Sequence, residues 1–153
     1  MTFPGRLSDN EILISAVFGW TVAQVLKTLI DMWLNKGFKP ERLVGSGGMP
    51  SSHSAIVCGL MTASGLVYGL DSFEFAVSFV LAAVVMYDAV GVRRETGKQA
   101  KLLNMIMEQD FFRMNGDEVQ ERLKELVGHT PLQVALGAAL GVAIAFFVHG
   151  MYQ

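Results

Sequence analysis

The segment Gly48–Ser54 has the sequence Gly-Met-Pro-Ser-Ser-His-Ser and lies directly ahead of an apolar stretch long enough for a helix. The start of a helix presents backbone N–H groups without partners and a partial positive charge, and both favour an anion such as phosphate. A histidine in the same place can supply the proton that phosphate-ester chemistry needs. Two further fragments, Gly91–Arg94 and Gly128–Pro131, also lie beside apolar segments. Together the three fragments predict a phosphate site.

The composition indicates a small integral membrane protein made of one domain, residues 1–153. Charged residues make up 17% of the chain, whereas an average soluble domain has about 25%. The mean hydropathy is +0.40, and the charges are clustered, so that long stretches carry almost none. The net charge of −2 offers no argument for nucleic-acid binding, and the single cysteine, Cys58, excludes an intrachain disulfide framework.

Four apolar segments predict an all-α fold, an integral membrane helical bundle with about four transmembrane helices. They lie at about 12–34, 53–70, 73–92 and 132–151. The last segment contains Gly137 and Gly141 in a GxxxG pattern, which permits helices to pack closely in lipid. Ordinary small-residue content would give the same pattern, so both explanations stay open. His149, near the end of this segment, belongs to no motif, and we assign it no role.

Residues 93–128 form the one long polar stretch and separate the third helix from the fourth. Apolar residues recur at helical spacing on both sides of Asn115–Asp117, which predicts a polar helical hairpin docked on the membrane surface. With four crossings, this hairpin and the loop after the first helix lie on the same side of the membrane. The three fragments therefore meet at one membrane face. Lys27, in the second half of the first helix, lies nearer to that face than to the other.

Basic residues concentrate in the same two loops, whereas the opposite side carries only Arg6. Loops rich in lysine and arginine stay in the cytoplasm, so we expect the site to face the cytoplasm. Basic residues of the site add to this count, but a large asymmetry remains without Arg93 and Arg94. Four short helices leave a small core, which is compatible with a homodimer.

Around these residues the chain resembles the type 2 phosphatidic acid phosphatases, which share a helical core with the vanadium haloperoxidases. Pro50–His53 is similar to that family's Pro-Ser-Gly-His motif, and His129 with the helix after it is similar to its last motif. The resemblance is closest to the divergent branch of bacteria and plants, covers nearly the whole chain and implies a bacterial cell membrane. The matching segments are Ala23–Lys27, Gly47–Ala55, Met86–Ala89, Gly91–Arg94, Gly97, Gln99–Ala100, Leu103–Asn104, Lys124–Glu125 and Gly128–Pro131.

The resemblance implies hydrolysis of a lipid phosphate or another small phosphorylated substrate through a phosphohistidine intermediate, without a metal or a cofactor. His129 would attack phosphorus as the neutral imidazole, and His53 would protonate the leaving oxygen and later activate water. The partners would be this substrate and membrane lipids, and not nucleic acid. At least one arginine, a lysine and the helix start would hold the phosphate oxygens. These phosphate-binding candidates are Lys27, Ser51, Ser52, Arg93 and Arg94.

The chain departs from the family pattern four residues after His129. The family has an aspartate there that orients the histidine ring, whereas this chain has Gln133, which can accept a hydrogen bond but cannot stabilise an imidazolium by charge. Asp88, in the third helix, is a candidate substitute, or else it forms a bond between helices. The family's first motif is also incomplete, because no Arg-Pro pair follows Lys27. An alternative function is therefore a non-catalytic membrane protein that retains a phosphate or headgroup pocket.

Several candidates also have structural explanations. Lys27 and Asp31 are four residues apart, so they can form an ion pair on one helix face. His53 can cap the second helix at the membrane interface, and the two serines before it can cap the helix and bind phosphate at once. Lys98 and Lys101 fit a solvated stripe that faces lipid headgroups better than a catalytic role.

Overall fold

The computed structural model of the protein describes residues 7–35, 48–108 and 128–153, and these residues form helices and short connections without a strand. A short 3₁₀ helix at Leu7–Asp9 precedes the first α-helix. The α-helices are α1 (Glu11–Asn35), α2 (Ser52–Tyr68), α3 (Phe73–Val90), α4 (Val92–Glu108) and α5 (Pro131–Tyr152). The four predicted apolar helices are confirmed as α1, α2, α3 and α5, and their ends fall within two residues of the predicted ones. The fold is therefore an all-α membrane bundle.

Three helical runs in the described residues are long and apolar enough to cross a membrane. They are Glu11–Leu34, Pro131–Tyr152 and a run that starts at Phe73 and continues through α4 to Ile106. The fourth predicted crossing, α2, has 17 residues. At 1.5 Å per residue it is roughly 25 Å long, slightly less than the hydrocarbon core of about 30 Å. It packs against α1, α3 and α5, so the bundle is arranged around its shortest apolar helix.

Glycines set how closely the three inner helices approach one another. A Cβ atom added to Gly141 would collide with the carbonyl oxygen of Ala55 in α2, and one added to Gly137 would collide with the carbonyl of Ser51. From the α1 side, a Cβ atom at Gly19 would lie 3.2 Å from the same Ala55 oxygen. The GxxxG pattern of α5 is thus a close-packing surface, which decides between the two explanations that the sequence left open. In lipid, this van der Waals contact replaces the hydrophobic effect as the attraction between helices.

The helix α4 is the first arm of the predicted polar hairpin. It follows α3 after the single residue Gly91, whose backbone angles of φ −89° and ψ −90° are not helical. One side of α4 is buried along Gly97, Ala100 and Asn104. The second arm of the hairpin and its turn at Asn115–Asp117 lie outside the described residues.

At the far end of the bundle, the two ends of the chain are joined by polar contacts. His149 Nδ1 lies 2.7 Å from Glu11 Oε1, and His149 Nε2 lies 2.9 Å from the amide nitrogen of Gln153. The hydroxyl of Tyr152 donates a hydrogen bond to the Ser8 carbonyl at 2.6 Å. The assignment of no role to His149 therefore missed a structural one, since this histidine fastens the start of α1 to the end of α5.

Candidate active site

The turn before α2 is held between α1 and α5. Ser51 is the N-cap of α2: its Oγ accepts hydrogen bonds from the backbone N–H of Ser54 at 3.3 Å and from the Ser54 hydroxyl at 3.1 Å. The backbone N–H of Ser51 donates to the carbonyl of Gln133 in α5 at 3.1 Å. Gly48, with φ +86°, lies so close to the Lys27 side chain that an added Cβ would be 3.0 Å from its Cγ. The start of α2 is thus fixed from both sides.

Lys27 brings a positive charge from α1 to this helix start. It is only 2% exposed, and its Nζ donates hydrogen bonds to Gln24 Oε1 at 2.6 Å and to Ser52 Oγ at 3.3 Å. An ammonium inside a membrane helix is costly unless it has partners, and these two oxygens supply them. Sequence reasoning named Lys27 and Ser52 but not the supporting role of Gln24. The spacing of three residues, which puts two side chains on one helix face, was the available signal.

The start of α5 is tied to the end of α3. The backbone N–H of His129 donates to the Ala89 carbonyl at 3.0 Å, after a turn in which Gly128 has φ +92°. Thr130 and Gln133 form a reciprocal capping box: the Thr130 N–H donates to Gln133 Oε1 at 3.0 Å, and the Gln133 N–H donates to Thr130 Oγ1 at 3.4 Å. Such a box satisfies two backbone donors of a new helix. His129 is therefore held just before α5, where it is 4% exposed.

The capping box also orients the ring of His129. Gln133 Oε1 lies 3.2 Å from His129 Nδ1. Because this oxygen already accepts the Thr130 N–H, the amide presents an acceptor to the ring, and Nδ1 carries the proton in that contact. In the neutral imidazole, this arrangement leaves the lone pair on Nε2, which is the tautomer that a nucleophile at Nε2 needs.

The rings of the two motif histidines, His53 and His129, lie close together. The ring centroids of His53 and His129 are 6.2 Å apart, with the ring planes inclined by 59°. His129 is buried, whereas His53, in the first turn of α2, is partly exposed. This separation of the ring centroids is compatible with both rings contacting one phosphate group. The positive ends of the α2 and α5 dipoles lie beside them, together with Lys27, and favour an anion between the rings.

Comparison with known proteins shows the family of the chain. Residues 8–144 match the model of the divergent PAP2 family, the divergent branch of the type 2 phosphatidic acid phosphatases. The chain belongs to this family. It is also 38% identical over 148 residues to the uncharacterized membrane protein YuiD of Bacillus subtilis (strain 168), which covers 91% of this chain and 94% of that protein. No solved structure gives a significant match.

Membership of the divergent PAP2 family confirms the resemblance inferred from the motifs, and the protein is a PAP2-related membrane protein. The structure brings six of the predicted site residues together: Lys27, Ser51, Ser52, His53, His129 and Gln133. Within the described ranges, no three His, Cys, Asp or Glu side chains are grouped so that they could hold a metal ion.

The remaining candidates of this divergent PAP2 chain lie at the same end of the bundle. Asp88 is half-buried and directly precedes Ala89, whose carbonyl holds the backbone of His129. Arg93 and Arg94 lie in the first turn of α4, immediately after α3, but their side chains are outside the described part of the structure. The backbone therefore places both arginines near the end of α3 that contacts His129.

Proposed function

We propose that this divergent PAP2 family member is a membrane phosphatase that hydrolyses a lipid phosphate or another phosphoester through a phosphohistidine intermediate. The observation that carries the proposal is the meeting of His53 and His129 beside a buried lysine, with ring centroids 6.2 Å apart. Each histidine stands at the start of a different helix, so the pair forms only when the bundle is folded. The distribution of basic residues supports a cytoplasmic position for this face.

In the proposed reaction, the phosphate group lies at the start of α2. Lys27 and the α2 N-terminus at Ser51 and Ser52 bind its oxygens and offset their charge. An arginine from the first turn of α4, Arg93 or Arg94, would add a bidentate contact to the same oxygens. Lys27 and the start of α2 are held by their own hydrogen bonds before substrate arrives, so they need not reorganise as charge develops on the transferring group.

Two displacements then complete the hydrolysis. Nε2 of His129 attacks phosphorus, the bond from phosphorus to the leaving oxygen breaks, and His53 gives that oxygen a proton. In the second step His53 takes a proton from water, the resulting hydroxide oxygen bonds to phosphorus, and the bond to His129 breaks. The products are the free alcohol and inorganic phosphate, and both histidines return to their starting forms.

One contact favours a second candidate function. The partner of His129 Nδ1 is the neutral amide of Gln133, which maintains the tautomer but does not offset the positive charge that forms on the ring during attack. A site with this weakness suits a protein that binds a phosphorylated headgroup without hydrolysing it. The two candidates share the pocket and differ only in turnover.

The deciding experiment measures phosphate release by the full-length protein in detergent against lipid phosphates, lipid diphosphates and an aryl phosphate. Binding of the same ligands is measured by calorimetry, and folding by gel filtration. The phosphatase proposal expects release that is lost in His129→Ala. Release that is unchanged in this variant would overturn the proposal. Saturable binding of a lipid phosphate without any release would instead support the headgroup-binding candidate.

A further inference from the structure

The helix α4 has a buried side and an exposed side. Gly97, Ala100 and Asn104, spaced three and four residues apart, form the side that is buried in the protein. Away from this side, the second half of α4 exposes large apolar residues, including Leu102 (59% exposed) and Met105 (55% exposed). A soluble helix would place polar residues there. On the same exposed side, Lys98 and Lys101 add positive charge.

The exposed lysines lie on the same side of α4 as the exposed apolar residues. Lys98 precedes Leu102 by four residues, and Lys101 precedes Met105 by four, so each lysine lies one turn before an exposed apolar side chain on the same flank. Lys98 Nζ lies 2.6 Å from Glu95 Oε1, but both side chains are well exposed, and exposed ion pairs of this kind are weak and screened by salt. The helix as a whole carries four basic and two acidic residues.

Connectivity places α4 at the membrane surface. As one straight helix, α3 and α4 would extend roughly 54 Å at 1.5 Å per residue, well beyond the hydrocarbon core of about 30 Å. The non-helical backbone of Gly91 separates them, and the buried side of α4 shows that it packs against the protein rather than projecting into water. A helix that departs from the line of α3 at Gly91 and packs against the protein is what we expect of a helix at the membrane surface.

We propose that α4 is an interfacial helix whose apolar face enters the bilayer and whose lysines bind anionic lipids. Leu102, Met105 and Ile106 lie at the boundary between headgroups and acyl chains, about 5–10 Å deep, as in other amphipathic helices of this kind. Lys98 and Lys101 extend from this level to the headgroup phosphates. A second copy of the chain is a poorer occupant, since lysine is depleted in the cores of protein interfaces. The proposal does not depend on catalysis.

The depth of α4 can be measured with nitroxide labels in the full-length protein in vesicles. Cys58 is the single cysteine, so the variant Cys58→Ala provides a background without cysteine. Met105→Cys is then compared with two references, Val80→Cys, which is exposed in the middle of α3, and Asp71→Cys, in the turn between α2 and α3. Frequent collisions of the label with oxygen indicate that it lies in lipid, and frequent collisions with a water-soluble nickel chelate indicate that it lies in water.

The proposal expects the label at position 105 to collide with oxygen more than the label at 71 and less than the label at 80. Values equal to those at Asp71 would place the apolar face of α4 in water and overturn the proposal. Low collision rates with both reagents would show that protein covers the face and would also overturn the proposal.

The lipid preference is tested with a fluorophore at Leu102→Cys in the same background. Quenching by nitroxide-labelled phosphatidylserine is compared with quenching by nitroxide-labelled phosphatidylcholine. We expect stronger quenching by phosphatidylserine. The ratio of quenching by phosphatidylserine to quenching by phosphatidylcholine should fall by up to about fivefold with each of Lys98→Gln and Lys101→Gln. Glu95→Gln, which removes a negative charge beside Lys98, should raise the ratio. Equal quenching by the two lipids in the protein with both lysines would contradict lipid binding by them.

Discussion

Each end of α5 has a histidine followed four residues later by a glutamine, but the surroundings of the two pairs differ. At the site end, where α2 and α5 begin, His129 faces Gln133 and a second histidine ring. At the far end, where α1 begins and α5 ends, His149 lies between the carboxylate of Glu11 and the amide of Gln153. The histidine that has this carboxylate partner therefore lies at the far end and not at the candidate site.

The comparison shows that a carboxylate beside a histidine is not enough to mark a site. The site end combines the positive ends of two helix dipoles with a buried lysine, and all three favour a bound anion. The far end has the negative end of the α5 dipole, and its contacts run between the two termini of the chain. Three contrasts between matched residues of the two ends follow, and a fourth prediction concerns the far end alone.

The largest contrast is expected between the histidines His53 and His149. His53→Ala should lower phosphate release from a lipid substrate by about 10²–10⁴-fold, because the variant loses its general acid and base. His149→Ala should leave release per folded protein unchanged, since its ring lies at the opposite end of α5. The two variants are compared by their initial rates of phosphate release, each divided by the amount of folded protein that gel filtration shows. Equal losses in both variants would indicate that the effect is structural.

The second contrast concerns two glycines of α5. A Cβ atom at Gly137 would collide with the Ser51 carbonyl, whereas one at Gly150 would meet no atom within 4 Å. Gly137→Ala should therefore destabilise the protein by about 1–3 kcal/mol through overpacking. Gly150→Ala should stabilise it slightly, by about 0.5–1 kcal/mol, because alanine favours a helix. Thermal unfolding in detergent measures both, and a neutral Gly137→Ala would refute the close approach of α5 to α2.

The third contrast replaces a glutamine by glutamate at each end. Gln133→Glu preserves the length of the side chain and the capping box and places a charge beside His129 Nδ1. A hydrogen bond to a charged group is stronger by about 1–1.5 kcal/mol, so kcat should rise about tenfold with little change in KM. Gln153→Glu should leave both constants unchanged. A drop in kcat for Gln133→Glu would show that the neutral amide is required.

The smallest effect is expected from Glu11→Gln. This change removes the charge from a partly buried pair in which the His149 and Glu11 atoms are 2.7 Å apart. We expect a loss of about 1 kcal/mol in stability and no change in kcat. Unfolding in detergent and initial rates provide the two readouts. A large loss of activity at unchanged stability would connect the far end to catalysis and remove the distinction between the ends.

The helices could be predicted almost to the residue because apolar runs and their caps are local signals. Ser72 before α3 and Thr130-Pro131 before α5 are N-terminal signatures that the structure uses. Local signals do not show which helix lies at the centre of a bundle, so the central place of α2 is seen only in the structure. Its small residues, such as Ala55 and Gly59, were the available hint, since a helix surrounded by others needs small contact residues.

The candidate site also has features that the sequence could predict and features that it could not. The order of the apolar segments predicted that Lys27, His53 and His129 lie at one end of the bundle, because both histidines precede apolar helices and Lys27 lies in the second half of the first helix. The double contact of Gln133, to a backbone N–H and to the His129 ring, depends on the exact path of the turn before α5. The pair of Glu11 and His149 joins residues from opposite ends of the chain, and no spacing rule within one helix could reveal it.

The central claim, that His129 is the nucleophile, is tested most directly by trapping the phosphorylated enzyme. An aryl phosphate has a good leaving group that needs no proton, so His53→Ala should still be phosphorylated but should react slowly with water. After an alkaline quench, peptide mass spectrometry should find the phosphate on His129, and it should be absent from the variant with both His53→Ala and His129→Ala. Phosphate on another residue, or none while the unaltered protein releases phosphate, would contradict the account.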